Sequence, residues 1–120
     1  MEKEIYNNIS FADAELVSYL YDVDSENLKV EIKACDDGLI KVEFIEVIGV
    51  ISYSAKMISG FFEETETNIF FNEAVRKYYS SSVSKEIIES HPYHCFKAVD
   101  SDDSLVFEVI CKSLKTQKVQ

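Results

Sequence analysis

The chain has 120 residues, 47% of them apolar, with eight Phe and seven Tyr but only three Gly and one Pro. That make-up excludes a disordered or low-complexity chain and suffices for a single domain over 1–120 with its own core. Twenty-two acids against twelve bases leave a net charge of −10, which disfavours nucleic acid and anionic membrane and would attract a cationic partner.

The opening MEKEIYNN is charged and lacks the apolar stretch of a signal peptide. No apolar run approaches the roughly 20 residues of a membrane span, so the chain reads as soluble and cytoplasmic. The ends, about 1–9 and 115–120, are polar and expected to fray. Phe11–Asp24 (FADAELVSYLYDVD) fits either an amphipathic helix or a strand. As a strand, Ala14, Leu16, Ser18 and Leu20 share one face, and Glu15, Val17, Tyr19 and Tyr21 the other. The following segment decides the reading. In LKVEIKA, Leu28, Val30, Ile32 and Ala34 alternate with Lys29, Glu31 and Lys33, the period of a half-buried strand. Asp36–Asp37–Gly38 then makes a turn, and Ile40, Val42 and Phe44 alternate with Lys41 and Glu43. A hairpin over 28–47 makes an antiparallel strand over Ala14–Tyr21 the economical reading, with the helix as its alternative.

GVISYSA at 49–55 continues as strand, and Gly60–Phe62 and Asn68–Phe71 are possible short strands. From Asn72 the period changes, with Val75, Tyr79, Val83 and Ile87 spaced by four. This predicts a helical segment over 72–90, with Asn72 and Ser84 placed as N-caps, a weak point at Ser80–Ser82 and a stop at Pro92. A second hairpin follows over 93–112, turning at Asp100–Asp103. Its buried faces are His94, Phe96 and Ala98, and then Leu105, Phe107, Val109 and Cys111. The fold class is mainly β (α+β): a curved antiparallel sheet or sandwich with one helical segment.

Chemistry-bearing motifs are sparse. Cys35, Cys95 and Cys111 are odd in number and lie in strand-like runs, which suits free, core-packed thiols. His91, His94 and Cys95 fall short of a zinc set, because His94 and Cys95 point to opposite faces of a strand. Neither acidic run has an EF-hand's Gly and Glu at its sixth and twelfth places: Asn27 and Lys33 stand there from Asp22, Leu105 and Cys111 from Asp100. There is no phosphate loop and no nucleophile elbow. The chain reads as a non-enzyme without metal or cofactor. Its densest acidic cluster outside an obvious strand is Glu63, Glu64 and Glu66, with Asp100, Asp102 and Asp103 second. Loop acids of this kind can reach a partner without disturbing the core.

The order of Phe11-Ala-Asp-Ala-Glu-Leu16, the LIKVEFIEVIGV segment, His94-Cys-Phe-Lys-Ala-Val and Leu105-Val-Phe-Glu-Val-Ile-Cys-Lys112 resembles small bacterial immunity proteins of polymorphic-toxin and contact-dependent inhibition systems. Ala12 departs from the His often found there, and Cys95 from an aromatic. The resemblance implies an inhibitor that binds a cognate toxin domain, often a basic nuclease, and covers its active site or substrate surface. The net charge agrees with that role independently. A second reading takes the Tyr and Phe as the lining of a lipocalin-like sheet around an apolar small molecule. A third is a subunit of a larger assembly.

Overall fold

The computed structural model describes residues 2–4, 14–34, 38–53, 57–64, 68–79 and 92–119. Among the described residues, eight strands and one helix follow in chain order: β1 Glu2–Glu4, β2 Ala14–Asp22, β3 Asn27–Ala34, β4 Gly38–Ser52, β5 Met57–Ile58, β6 Gly60–Glu64, α1 Ile69–Tyr79, β7 His94–Val99 and β8 Leu105–Val119. The strands form one antiparallel sheet in the order β1-β6-β7-β8-β4-β3-β2-β5. Only Ser59 separates β5 from β6. Since β5 pairs with β2 and β6 with β7, one stretch of chain spans from one side of the sheet to the other, and the sheet curls into a nearly closed barrel. Ser59 N donates to Val99 O at 2.8 Å to hold the seam. The mainly β, curved antiparallel fold with one helix is therefore present, and Phe11–Asp24 contributes a strand from Ala14 on.

Alternation fills the interior. Leu28, Val30, Ile32 and Ala34 of β3, Ile40, Val42 and Phe44 of β4, and Phe107, Val109 and Cys111 of β8 are buried together. Phe44 is the hub of this core. Its ring centroid lies 6.1 Å from Phe61, 6.0 Å from Phe96 and 6.1 Å from Phe107, within the range in which aromatic pairs gain beyond area burial.

Irregularities steer the strands. In β2 the register slips between Leu16 and Ser18, so Val17 is a bulge residue. This corrects the simple two-face reading: Ala14 and Leu16 share the core side with Tyr19, while Val17 and Leu20 are exposed. In β4, Glu46 takes the left-handed region at φ 52°, and Ile48 is extra between the pairs Val47↔Cys111 and Gly49↔Ile110. The β2–β3 tip fastens this bend, with Glu46 N donating to Asn27 Oδ1 at 3.1 Å and Val47 N to Glu26 O at 2.8 Å.

The helix begins earlier than its periodicity indicated. Asn68, not Asn72, is the N-cap, accepting from Phe71 N at 2.7 Å; Asn68–Phe71 is helix start, not strand. Residues 80–91, with Ser84 and the Ser80–Ser82 break, lie outside the described residues. The helix packs Phe71, Ala74 and Val75 on the outer face of the sheet, over Cys95 and Ile110. The polar tail is also corrected: β8 pairs with β4 out to Leu39↔Val119, because strand pairing satisfies its backbone whatever its side chains. At the other end, β1 pairs with β6. The turn residues Asp36 and Asp37 lie outside the described residues, and Gly38 takes φ 73°.

Two substitutions test this packing. Phe44→Ala should cost about 3–5 kcal/mol in urea unfolding, as a buried aromatic hub does. A Cβ at Gly49 would sit 3.0 Å from Ala74 Cβ and 3.1 Å from Phe70 Cζ; the ring can swing, but Ala74 moves only with the helix. Gly49→Val should therefore destabilise by about 1–3 kcal/mol through overpacking, and an unchanged melting curve would show that the helix does not rest on the sheet here.

Candidate binding surface

The two acidic clusters singled out from the sequence do not form one patch. Glu63 and Glu64 belong to β6, not to a loop, and alternate to opposite sides of the sheet. Each has a partner: Glu63 Oε2 lies 2.8 Å from His94 Nδ1, and Glu64 Oε2 lies 3.9 Å from Lys97 Nζ. Glu66 lies outside the described residues. The β6–β7 register runs from Gly60↔Val99 to Glu64↔Cys95, so roughly 13 Å of strand separates Glu64 from the level of the Asp100–Asp103 turn.

That turn is built by its own first acid. Asp100 Oδ1 accepts from Asp102 N at 2.9 Å and Ser104 N at 3.0 Å, which leaves the exposed Asp102 and Asp103 to face outward. The β2–β3 tip repeats the device, with Asp22 Oδ1 accepting from Asp24 N at 3.0 Å. Glu26 and Asp103 each end their turn at φ 60°. Antiparallel order brings both tips, together with the last residues of β4, to one end of the barrel. There Tyr53 N donates to Val106 O at 2.9 Å.

Charge is distributed unevenly between this end and the flank. Across the outer face of β2, β3, β4 and β8, Lys33 opposes Glu15, Lys29 opposes Glu43, Lys41 opposes Glu31, and Lys115 opposes Glu43. Cross-strand pairs of opposite sign neutralise that face, and the depression of about 670 Å³ across it is lined by both signs. By contrast, the segments Tyr21–Asn27, Val47–Tyr53 and Val99–Leu105 hold Asp22, Asp24, Glu26, Asp100, Asp102 and Asp103 and no base.

Within the acidic end lies an apolar cleft of about 520 Å³, lined by Tyr19, Tyr21, Leu28, Val47, Val50 and Ser52 among others. The bend at Glu46 carries Val50 and Ser52 across from the β2 tyrosines. Tyr21, Val23, Val50 and Tyr53 are exposed around it. The Tyr19 ring stacks edge-on against Phe107 at 5.7 Å. Its hydroxyl is sealed from solvent and makes no well-formed hydrogen bond. Burial raises its pKa, and the Ser52 side chain offsets this in part.

The remaining reactive side chains are arranged for packing. Glu108 is buried under the helix start, where its Oε2 accepts from Asn68 Nδ2 at 2.9 Å and from the Cys95 thiol at 3.0 Å. The carboxylate thus ties the helix cap to the sheet. The sequence carried a signal for it, since Glu108 interrupts an apolar run on the side of Val106 and Ile110. Cys111 pairs with His94 across β7–β8, close to Glu63. Burial pushes its thiol up to about 12, which removes the thiolate a nucleophile needs; burial followed by the Glu108 hydrogen bond raises Cys95 further. His94 is exposed, not core-facing, and His91 lies outside the described residues. Among the described residues no three His, Cys, Asp or Glu side chains gather to hold a metal.

These thiols set an alkaline limit. A thiol whose folded pKa is raised stabilises the fold fully below its ordinary value of 9.0 and loses that contribution as pH climbs toward about 12 for Cys111. Melting temperature should therefore fall between about pH 9 and about pH 12, less steeply in Cys111→Ala, and equal slopes would discount the buried thiol.

Comparison of the chain with protein-family models, curated proteins and solved structures gives no match.

Proposed function

We propose that this protein is an inhibitor of the immunity type, which binds a basic, nuclease-type bacterial toxin domain and neutralises it by covering its charged surface. The observation that carries the reading is the concentration of loop acids, with no basic partner among the described residues, at one barrel end, beside a flank where lysines and glutamates cancel. An acidic end of this kind repels nucleic acid and competes with it for a basic surface. Complementary charge speeds encounter, and exposed aromatic and aliphatic groups inside the acidic rim supply the desolvated contact that holds a complex. The ring cluster around Phe44 supports this reading over the small-molecule carrier, because Phe side chains occupy the space where an enclosed ligand would lie. On this reading Asp102 and Asp103 face the partner, while Glu63 is engaged with His94.

The experiment pairs the chain with a basic toxin domain drawn from the neighbouring reading frames. Coexpression should restore growth, and association should slow by roughly tenfold or more as salt rises from low to physiological levels. Toxicity unrelieved by the wild-type chain would end the inhibitor reading.

A further inference from the structure

The cleft at the acidic end has a composition that selects its occupant. Its walls are apolar, formed by Tyr21, Leu28, Val47 and Val50, so they match hydrocarbon. Its surroundings are anionic: the adjoining β2–β3 tip carries Asp22, Asp24 and Glu26 and no base, and Val47 N, on the cleft wall, donates to the Glu26 backbone carbonyl of that tip at 2.8 Å. A group that is apolar along its length and cationic at its tip satisfies both. Long basic side chains have that construction, burying the stem and keeping the head at the rim.

We infer that this cleft is the anchor pocket for an arginine or lysine side chain projecting from the basic protein partner, a deepening that rests on the inhibitor reading above. The stem packs between Tyr21 and Val50, and the cationic head reaches the rim where Asp22 and Glu26 lie and where the Tyr21 ring face is open. Arginine suits the place better than lysine, because its planar head stacks on an aromatic face and is less strongly hydrated. Exposed Val23 and Tyr53 extend the contact outward, and the Asp102 and Asp103 turn at the same barrel end adds further negative charge. Glu63 and Glu64, at the far end of β6, take no part.

The probe is a short acetylated peptide of alternating arginine and leucine, followed by amide NMR, with a citrulline version that keeps the shape and removes the charge. The arginine peptide should shift the amides of 21–27 and 47–53 and bind roughly tenfold more tightly than the citrulline one. It should weaken by a similar factor in Tyr21→Ser and in Asp22→Asn/Glu26→Gln. Equal binding of the two peptides, shifts centred on Glu63 and Glu64, or no binding at millimolar peptide would each overturn the anchor. Tyr21 and Val50 are 44% and 40% exposed, so Tyr21→Ser/Val50→Asp should fold, as thermal melting will show. If that variant still neutralises the basic domain fully, the anchor is wrong and the inhibitor reading stands. If the wild type does not bind the domain, both fall.

Discussion

The contact of Phe44 with Phe61, Phe96 and Phe107 is the constraint from which the rest of the molecule follows. These four rings come from four different strands, and they meet only if the sheet curls far enough to bring β6 and β7 over β4. Closure in turn requires the short chain Met57–Glu64 to span from one side of the sheet to the other, which is why β5 and β6 differ in partner across one residue. The four rings fill the middle of the barrel. The apolar cleft lies toward one end, where a turn and the last residues of strands supply the chemistry.

How the strands reach those ends was only partly legible in the sequence. Clean alternation in 28–34 and 40–44 located the first hairpin and its buried face, and the same logic located Phe96, Phe107 and Val109. Such positions are written by burial of one face, which leaves a period of two. The bulge at Val17 and the bend at Glu46 leave no such mark. Neither residue is the Gly that a left-handed or bulged backbone would favour, and the bend is held by groups remote in sequence, Asn27 and Glu26 holding Glu46 and Val47. Reading through them assigned Tyr19 to the face opposite Ala14, when the two share a core. The pairing of the polar tail, 115–119, is hidden for a related reason. Its side chains are polar, but β4 offers a ladder of backbone groups along its whole length, and the pairing needs no apolar face.

The same limit applies to the surface. Composition gave the sign of the charge but not its placement. Counting acids directed attention to Glu63 and Glu64, which strand geometry separates onto two faces and pairs with His94 and Lys97. The acids at the other end are of two kinds. Asp22 and Asp100 spend one oxygen on the turn backbone, so their role is structural; Asp24, Glu26, Asp102 and Asp103 project from turns that those two residues fix. A rigid turn presenting exposed acids loses little entropy on meeting a cation, unlike an acid on a free loop.

Structural economy links this surface to the buried side chains on the helix side of the sheet. The bend at Glu46 that opens the cleft also places Ile48 and Gly49 under the helix, against Phe70 and Ala74. Helix docking is fixed in turn by Asn68 and Cys95 donating to the buried Glu108, an acceptor whose loss would leave both donors unsatisfied at about 1–3 kcal/mol. The upper part of β4 is thereby clamped from both sides: by the β2–β3 tip at its bend and by the helix on its outer face. Val50 and Ser52, which form the wall of the cleft opposite Tyr19 and Tyr21, inherit that rigidity. A cleft whose far wall is held by packing on the outside of the sheet keeps its shape without an occupant, which is the condition under which an anchoring side chain binds without first ordering its pocket.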